Sequence, residues 1–197
     1  VPERDPAKRV PDATAVGQSR DPTKTGASLK MAKHAQGYSR AQVALHWSVV
    51  VLVAFQFLAH DGIEAAWRAY TRDNAASGDE RALAYLHVGA GLTVLLLVLA
   101  RLYLRFTRGV PAPPPDDPLA MQLVADLTHW LIYALLFALP LSGGVAWFAG
   151  VEPAADVHEL LQNVLLLVIA LHVAGALFQH FIRRSDVLMR MFRPERP

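Results

Sequence analysis

His158-Glu159-Leu160-Leu161-Gln162-Asn163-Val164-Leu165-Leu166-Leu167-Val168-Ile169-Ala170-Leu171-His172 is an apolar run framed by two histidines. Read as a helix, its 14 steps rise about 21 Å and return the second histidine to within about 40° of the first. One face of one helix therefore carries two imidazoles separated by most of the thickness of a hydrocarbon layer. An imidazole in hydrocarbon is costly, so a matched pair on one face calls for a partner.

Three more apolar blocks lie upstream. Together the four cover residues 42–59, 84–104, 127–148 and 160–182, each near the ~20 residues that a helix needs to cross a bilayer core. The chain has 197 residues, 53% hydrophobic and 18% charged, with a mean hydropathy of +0.26. That balance is too apolar for an ordinary water-soluble fold of this size. The expectation is an all-α integral membrane four-helix bundle, with residues 38–197 as the membrane part. Residues 1–37 are rich in Pro, Asp, Lys, Arg, Thr and Ser and read as a disordered tail. The stretch before Met31 reads as an upstream extension, with no apolar core for a cleavable signal. Pro140 falls inside the third block beside Gly143 and Gly144 and predicts a bend, and the run Pro111, Pro113, Pro114 and Pro115 predicts an extended linker.

Sixteen of the 19 basic residues lie in the tail, the second connection or the C-terminus. The first connection holds only Arg68, Arg72 and Arg81, and the third holds none. By the positive-inside rule both ends face the cytoplasm, as in a multi-pass protein of a bacterial inner membrane. Trp47 and Trp130 then fall near the cytoplasmic interface and Trp147 near the opposite one. The sequence pI of about 9.1 follows from this topology, so no nucleic-acid partner is expected. With no cysteine, thiolate metal sites, iron–sulfur clusters and covalent heme attachment are excluded.

Depth sorts the histidines. His46 lies near the cytoplasmic end of the first span and His172 comes to its level, while His87 and His158 share the outer level. The expected pairs are His46/His172 and His87/His158. Two imidazoles facing each other across an apolar bundle are what a six-coordinate heme iron needs, so two b-type hemes are expected. Gly91 and Gly175 leave room for a flat macrocycle, or for close helix packing. The two levels are about 21 Å apart and cannot share one zinc or iron ion.

The residues also resemble a known family, the prokaryotic cytochrome b561 proteins. The resemblance rests on Tyr38-Ser39-Arg40 followed by Leu45-His46-Trp47, Leu86-His87 with Arg101 and Arg105, His129 with Ile132-Tyr133, Leu139-Pro140 with Gly143, His158-Glu159, and Leu171-His172. It runs from about Tyr38 to Pro194; the long tail departs from the family's short N-terminus. The resemblance implies heme ligation by His46, His87, His158 and His172. It further implies electron transfer between quinone and another redox partner. One branch of the family resembles a superoxide oxidase that delivers electrons to ubiquinone.

His129 and His180 remain, both toward the cytoplasmic side. They are candidates to serve a quinone, or are interfacial histidines bonded to water and headgroups. His180 is eight residues past His172, about 80° around the helix, so it is no third ligand to the same iron. Arg101 and Arg105, one turn apart, suit heme propionates or phospholipid headgroups. Arg68, Arg72 and Arg81 could steer an anion, but Asp61, Glu64, Asp73, Asp79 and Glu80 make that connection acidic, and it reads as a solvated loop. His34 and His60 read as exposed. The leading expectation is a diheme carrier taking electrons from an outer small-molecule or protein donor, superoxide among the candidates, to ubiquinone. The alternatives are a membrane-anchor subunit for a separate dehydrogenase or soluble cytochrome, and a heme-free transport or structural bundle.

Overall fold

The computed structural model describes residues 37–72 and 77–195. The expectations for the tail and for His34 lie outside these residues. Among them the secondary structure is helical: α1 Arg40–Leu58, α2 His60–Arg72, α3 Gly78–Arg108, α4 Leu119–Ala149 and α5 Glu152–Phe181, followed by a single 3-10 turn at Met189–Met191.

Four of these helices, all but α2, are long and apolar enough to span a bilayer. At 31 residues, α3 and α4 reach about 46 Å, well beyond a hydrocarbon core of about 30 Å. This explains why they outrun the apolar blocks: their ends carry polar residues such as Asp79, Glu80, Gln122 and Asp126, which belong in the headgroup layer.

Caps fix where the helices begin and end. Ser39 accepts from the Gln42 amide while the Gln42 side chain accepts from the Ser39 amide, a reciprocal box that starts α1. Ser77 and Glu80 repeat it at the start of α3. Gly109 and Gly150 end α3 and α4 with φ of 80° and 65°, a backbone region in which a Cβ is strained.

In the packing, α1 lies on α3, α3 on α4, and α4 on α5, whereas α5 makes no comparably close backbone packing with α1 or α3. A small aliphatic core joins the four spans at mid-depth: Val49, Val94, Val98, Leu135, Leu136, Leu165 and Val168. Along α5, Leu165 and Val168 separate His158 from His172. Many other apolar side chains point outward, among them Leu86, Leu96, Leu167 and Leu171. In water that surface would be strongly unfavourable; in lipid it is the solvated one.

The first connection is not a simple loop. Residues 60–72 form α2, whose Ile63, Ala66 and Trp67 recur at helical spacing, and Ala66 is almost wholly buried. It packs on α3, and Trp67 meets Trp147 of α4 with ring centroids 5.9 Å apart. A search for blocks of ~20 apolar residues passes over a short amphipathic helix of this kind.

Both ends of the described chain meet at one end of the bundle. The Glu195 amide donates to the Tyr38 carbonyl at 2.9 Å, and Trp47 Nε1 donates to the Met191 carbonyl at 2.9 Å. The C-terminal segment is tied to the proline-rich linker by Arg190 on the Ala112 carbonyl, and by Arg183 on Asp117 at 3.2 Å.

Candidate functional site

Two histidine clusters flank the aliphatic core. At the α2 end, His87 of α3 and His158 of α5 face each other with ring centroids 6.0 Å apart. Nδ1 of His158 lies 2.9 Å from the Leu139 carbonyl of α4, and the Ser142 hydroxyl is 3.2 Å from the same nitrogen. A carbonyl can only accept, so Nδ1 carries the proton and Nε2 keeps a free lone pair. Gly143 makes the space: a Cβ there would come within 2.9 Å of His158 Cε1 and 3.0 Å of Nδ1. In the sequence Gly143 figures as a neighbour of the bend predicted at Pro140; the room that it leaves for His158 is a further constraint.

Around these two rings is a cavity of about 330 Å³, lined mostly by apolar side chains such as Val53, Phe57, Leu136 and Pro140. Ligand sites of that size are common. Gly91 borders the cavity, and a Cβ on Gly175, at the other level, would meet nothing within 4 Å. Gly175 is exposed on the bundle surface, and a Cβ on Gly91 would lie 3.6 Å from Gln56 Nε2, so Gly143 is the one that a ring needs.

The cavity mouth lies under α2. Glu64, Asp156 and Glu159 line it, together with Arg68, which is ion-paired to Glu64. Arg81 is exposed. His60, expected to be exposed, is half-buried here, 3.4 Å from Gln162 Nε2 and within electrostatic reach of His87. It follows His46 by 14 residues, the spacing of His158 and His172, and that repetition was the signal for it.

At the opposite level His172 meets His129 of α4, ring centroids 5.1 Å apart. His46 lies within electrostatic reach of Arg101, His172 and His129. The structure therefore gathers three imidazoles where depth alone paired His46 with His172. His180 stays apart: its ring packs on Phe181 at 4.9 Å, and its Nδ1 is buried without a partner.

Arg101 and Arg105 border this second cluster. Arg101 donates to the Gln42 carbonyl at 3.2 Å. Arg105 stacks over Trp130 at 5.2 Å and stands 3.9 Å from Asp126. Tyr38, just before α1, lies within electrostatic reach of Arg105, Tyr133, Arg101 and Arg190. Burial nevertheless pushes its hydroxyl above the usual tyrosine range, so it remains a proton donor. Among the described residues no three or more His, Asp or Glu side chains form a cage for a bare metal ion.

The sequence matches the family described as prokaryotic cytochrome b561 over residues 37–194. It is 36% identical over 160 residues to cytochrome b562 of Cereibacter sphaeroides, covering 80% of this chain and 96% of that protein. It is 28% identical to the probable superoxide oxidase CybB of Yersinia pestis, over 81% of this chain and 97% of the relative. It is also 28% identical to cytochrome b561 homolog 1 of Escherichia coli, over 78% and 96%.

Proposed function

The chain belongs to the prokaryotic cytochrome b561 family of membrane electron-transfer proteins that bind b-type heme, and from that premise we propose that it carries two hemes, one on His87/His158 and one on His46/His172. The reading rests chiefly on the outer pair. Its separation of 6.0 Å is close to the roughly 6 Å expected for two imidazoles sharing one metal at bonds of about 2 Å. His158 has its proton fixed on the far nitrogen, as a metal-bound imidazole requires. The cavity walls are apolar, as a macrocycle edge needs. His172 and His46 form the inner pair, with His129 beside them as a group that can hold a proton.

Heme held by His87/His158 and His46/His172 would supply one-electron redox chemistry, with O₂ binding disfavoured. The protein's own residues do the rest. Leu139 and Ser142 orient His158, Gly143 admits its ring, and Arg101 and Arg105 sit where propionates or headgroups would be bound. The acceptor we propose is ubiquinone at the inner, cytoplasmic level of a bacterial inner membrane. Each quinone takes up two electrons and two protons, and His129, His180 and Tyr38 are the nearby groups that can carry protons. With superoxide as donor, each molecule gives up one electron and departs as O₂, so two are consumed per quinol.

A second reading is favoured by the acidic mouth. Glu64, Asp156 and Glu159 set a field that repels superoxide and attracts a basic partner, so the donor is then a soluble cytochrome or dehydrogenase, with the chain as its membrane anchor. The deciding experiment is spectroscopic. The purified chain should show a Soret band and two hemes per chain, and His87→Ala should remove one. Absence of heme from chain with intact histidines would overturn the proposal. Reduction of ubiquinone by the isolated chain given superoxide selects the first reading over the second.

A further inference from the structure

Gln56 is a polar residue inside apolar α1, half-buried beside the outer cavity. Its Nε2 donates to the His87 backbone carbonyl at 3.0 Å. Its Oε1 is buried with no hydrogen-bond partner, and so is Nδ1 of His87. Two residues already joined by one hydrogen bond thus hold, between them, an unused acceptor and an unused ring nitrogen. A buried polar atom left unpaired is costly, and one on each of two residues already hydrogen-bonded to each other points to a bond that is made in another state. Gly91, one turn past His87, puts no side chain between the amide and α3.

We infer that Gln56 is a positioning residue for His87, its Oε1 accepting the Nδ1 proton when Nε2 of His87 binds iron. The inference rests on the proposed His87/His158 ligation. His158 already has such an acceptor in the Leu139 carbonyl. The two ligands of the outer site would then each be held from behind, one by backbone from α4 and the other by a side chain from α1. An acceptor on the outer nitrogen raises the basicity of the inner one and favours the ferric state. The Leu139 carbonyl is fixed by the fold, whereas an amide side chain can be exchanged. Gln56 is therefore the adjustable determinant of the outer potential.

The test is a redox titration of the heme-loaded full-length chain. Gln56→Glu keeps the shape and strengthens the acceptor while giving up the donor to the His87 carbonyl; Gln56→Leu removes both. The expected result is a lower midpoint potential for one heme in the first and a higher one in the second, with the other heme unmoved. Gln56→Leu should also weaken heme binding at that site by about 10- to 100-fold. A merely structural role would move both variants the same way, and that outcome, or unchanged potentials in Gln56→Glu with both hemes retained, overturns the inference. If Gln56→Leu fails to fold, Gln56→Glu decides by the same criterion. His87→Ala separates the two claims: if it leaves both hemes, the ligation fails; if it removes one while Gln56→Glu moves nothing, only the role of Gln56 fails.

Discussion

His158 and Leu139 are joined across two spans, the imidazole Nδ1 of one lying 2.9 Å from the backbone carbonyl of the other. The contact commits the ring to one tautomer and one orientation. Because the acceptor is a backbone oxygen, the arrangement is tested through the groups that make room for it.

Gly143→Ala should displace that ring. The new methyl would stand 2.9 Å from Cε1 of His158, and such overpacking costs about 1–3 kcal/mol. The expected outcome is loss or weakening of the outer heme with the inner one intact, measured as heme per chain. Gly144→Ala is the control, since its methyl meets only Phe148 at 4.0 Å, and both hemes should remain.

At the inner level, His129→Gln should keep both hemes and slow quinone reduction, because His129 lies beside His172 but is proposed as a proton carrier. His46→Ala and His172→Ala should each remove one heme. Heme loss in His129→Gln, with retention in His46→Ala, would move the ligand role from α1 to α4. Absorbance of the reduced hemes and the rate of quinol formation separate these cases.

The four spans could be read from the sequence because apolar blocks of the right length have few alternatives, and the outer pair because two histidines 14 residues apart on one helix must lie in opposite halves of it. Helix α2 could not, since Ile63, Ala66 and Trp67 form a stripe too short to stand out beside the blocks around it. Nor could the approach of His129 to His172, which depends on how α4 rotates against α5 rather than on depth. The Leu139 carbonyl was invisible for a simpler reason: every residue has one, so an acceptor supplied by the backbone leaves no trace in residue identity.

Removing charge from the cavity mouth discriminates between donors. Replacing Glu64, Asp156 and Glu159 together by glutamine should speed reduction by superoxide several-fold and slow reduction by a basic soluble cytochrome, with both effects fading at high salt. Stopped-flow rates at two ionic strengths are the measurement. Equal rates with both donors would show that the mouth is not where electrons are received.

Asp117 anchors the C-terminal segment. Its buried carboxylate takes Gln179 Nε2 at 2.6 Å and Arg183 Nη2 at 3.2 Å. Asp117→Ala leaves both donors without it and should cost about 1–3 kcal/mol, read as a lower thermal midpoint in detergent. Limited proteolysis should then cut after Arg183 or Arg184 sooner than in the parent chain.

The bond from the Glu195 amide to the Tyr38 carbonyl makes residues 38 and 195 neighbours. A helical bundle whose first and last described segments adjoin can be rewired. Linking residue 195 to residue 38 by a few glycines, and opening the chain between Gly150 and Glu152, would yield a circular permutant that starts on the opposite side of the bilayer. Inserted that way round, it would carry the same helices with each remaining loop on its original side, but with the spans made in a different order. It would also reveal whether the arginines or the order of the spans governs how the bundle enters the membrane.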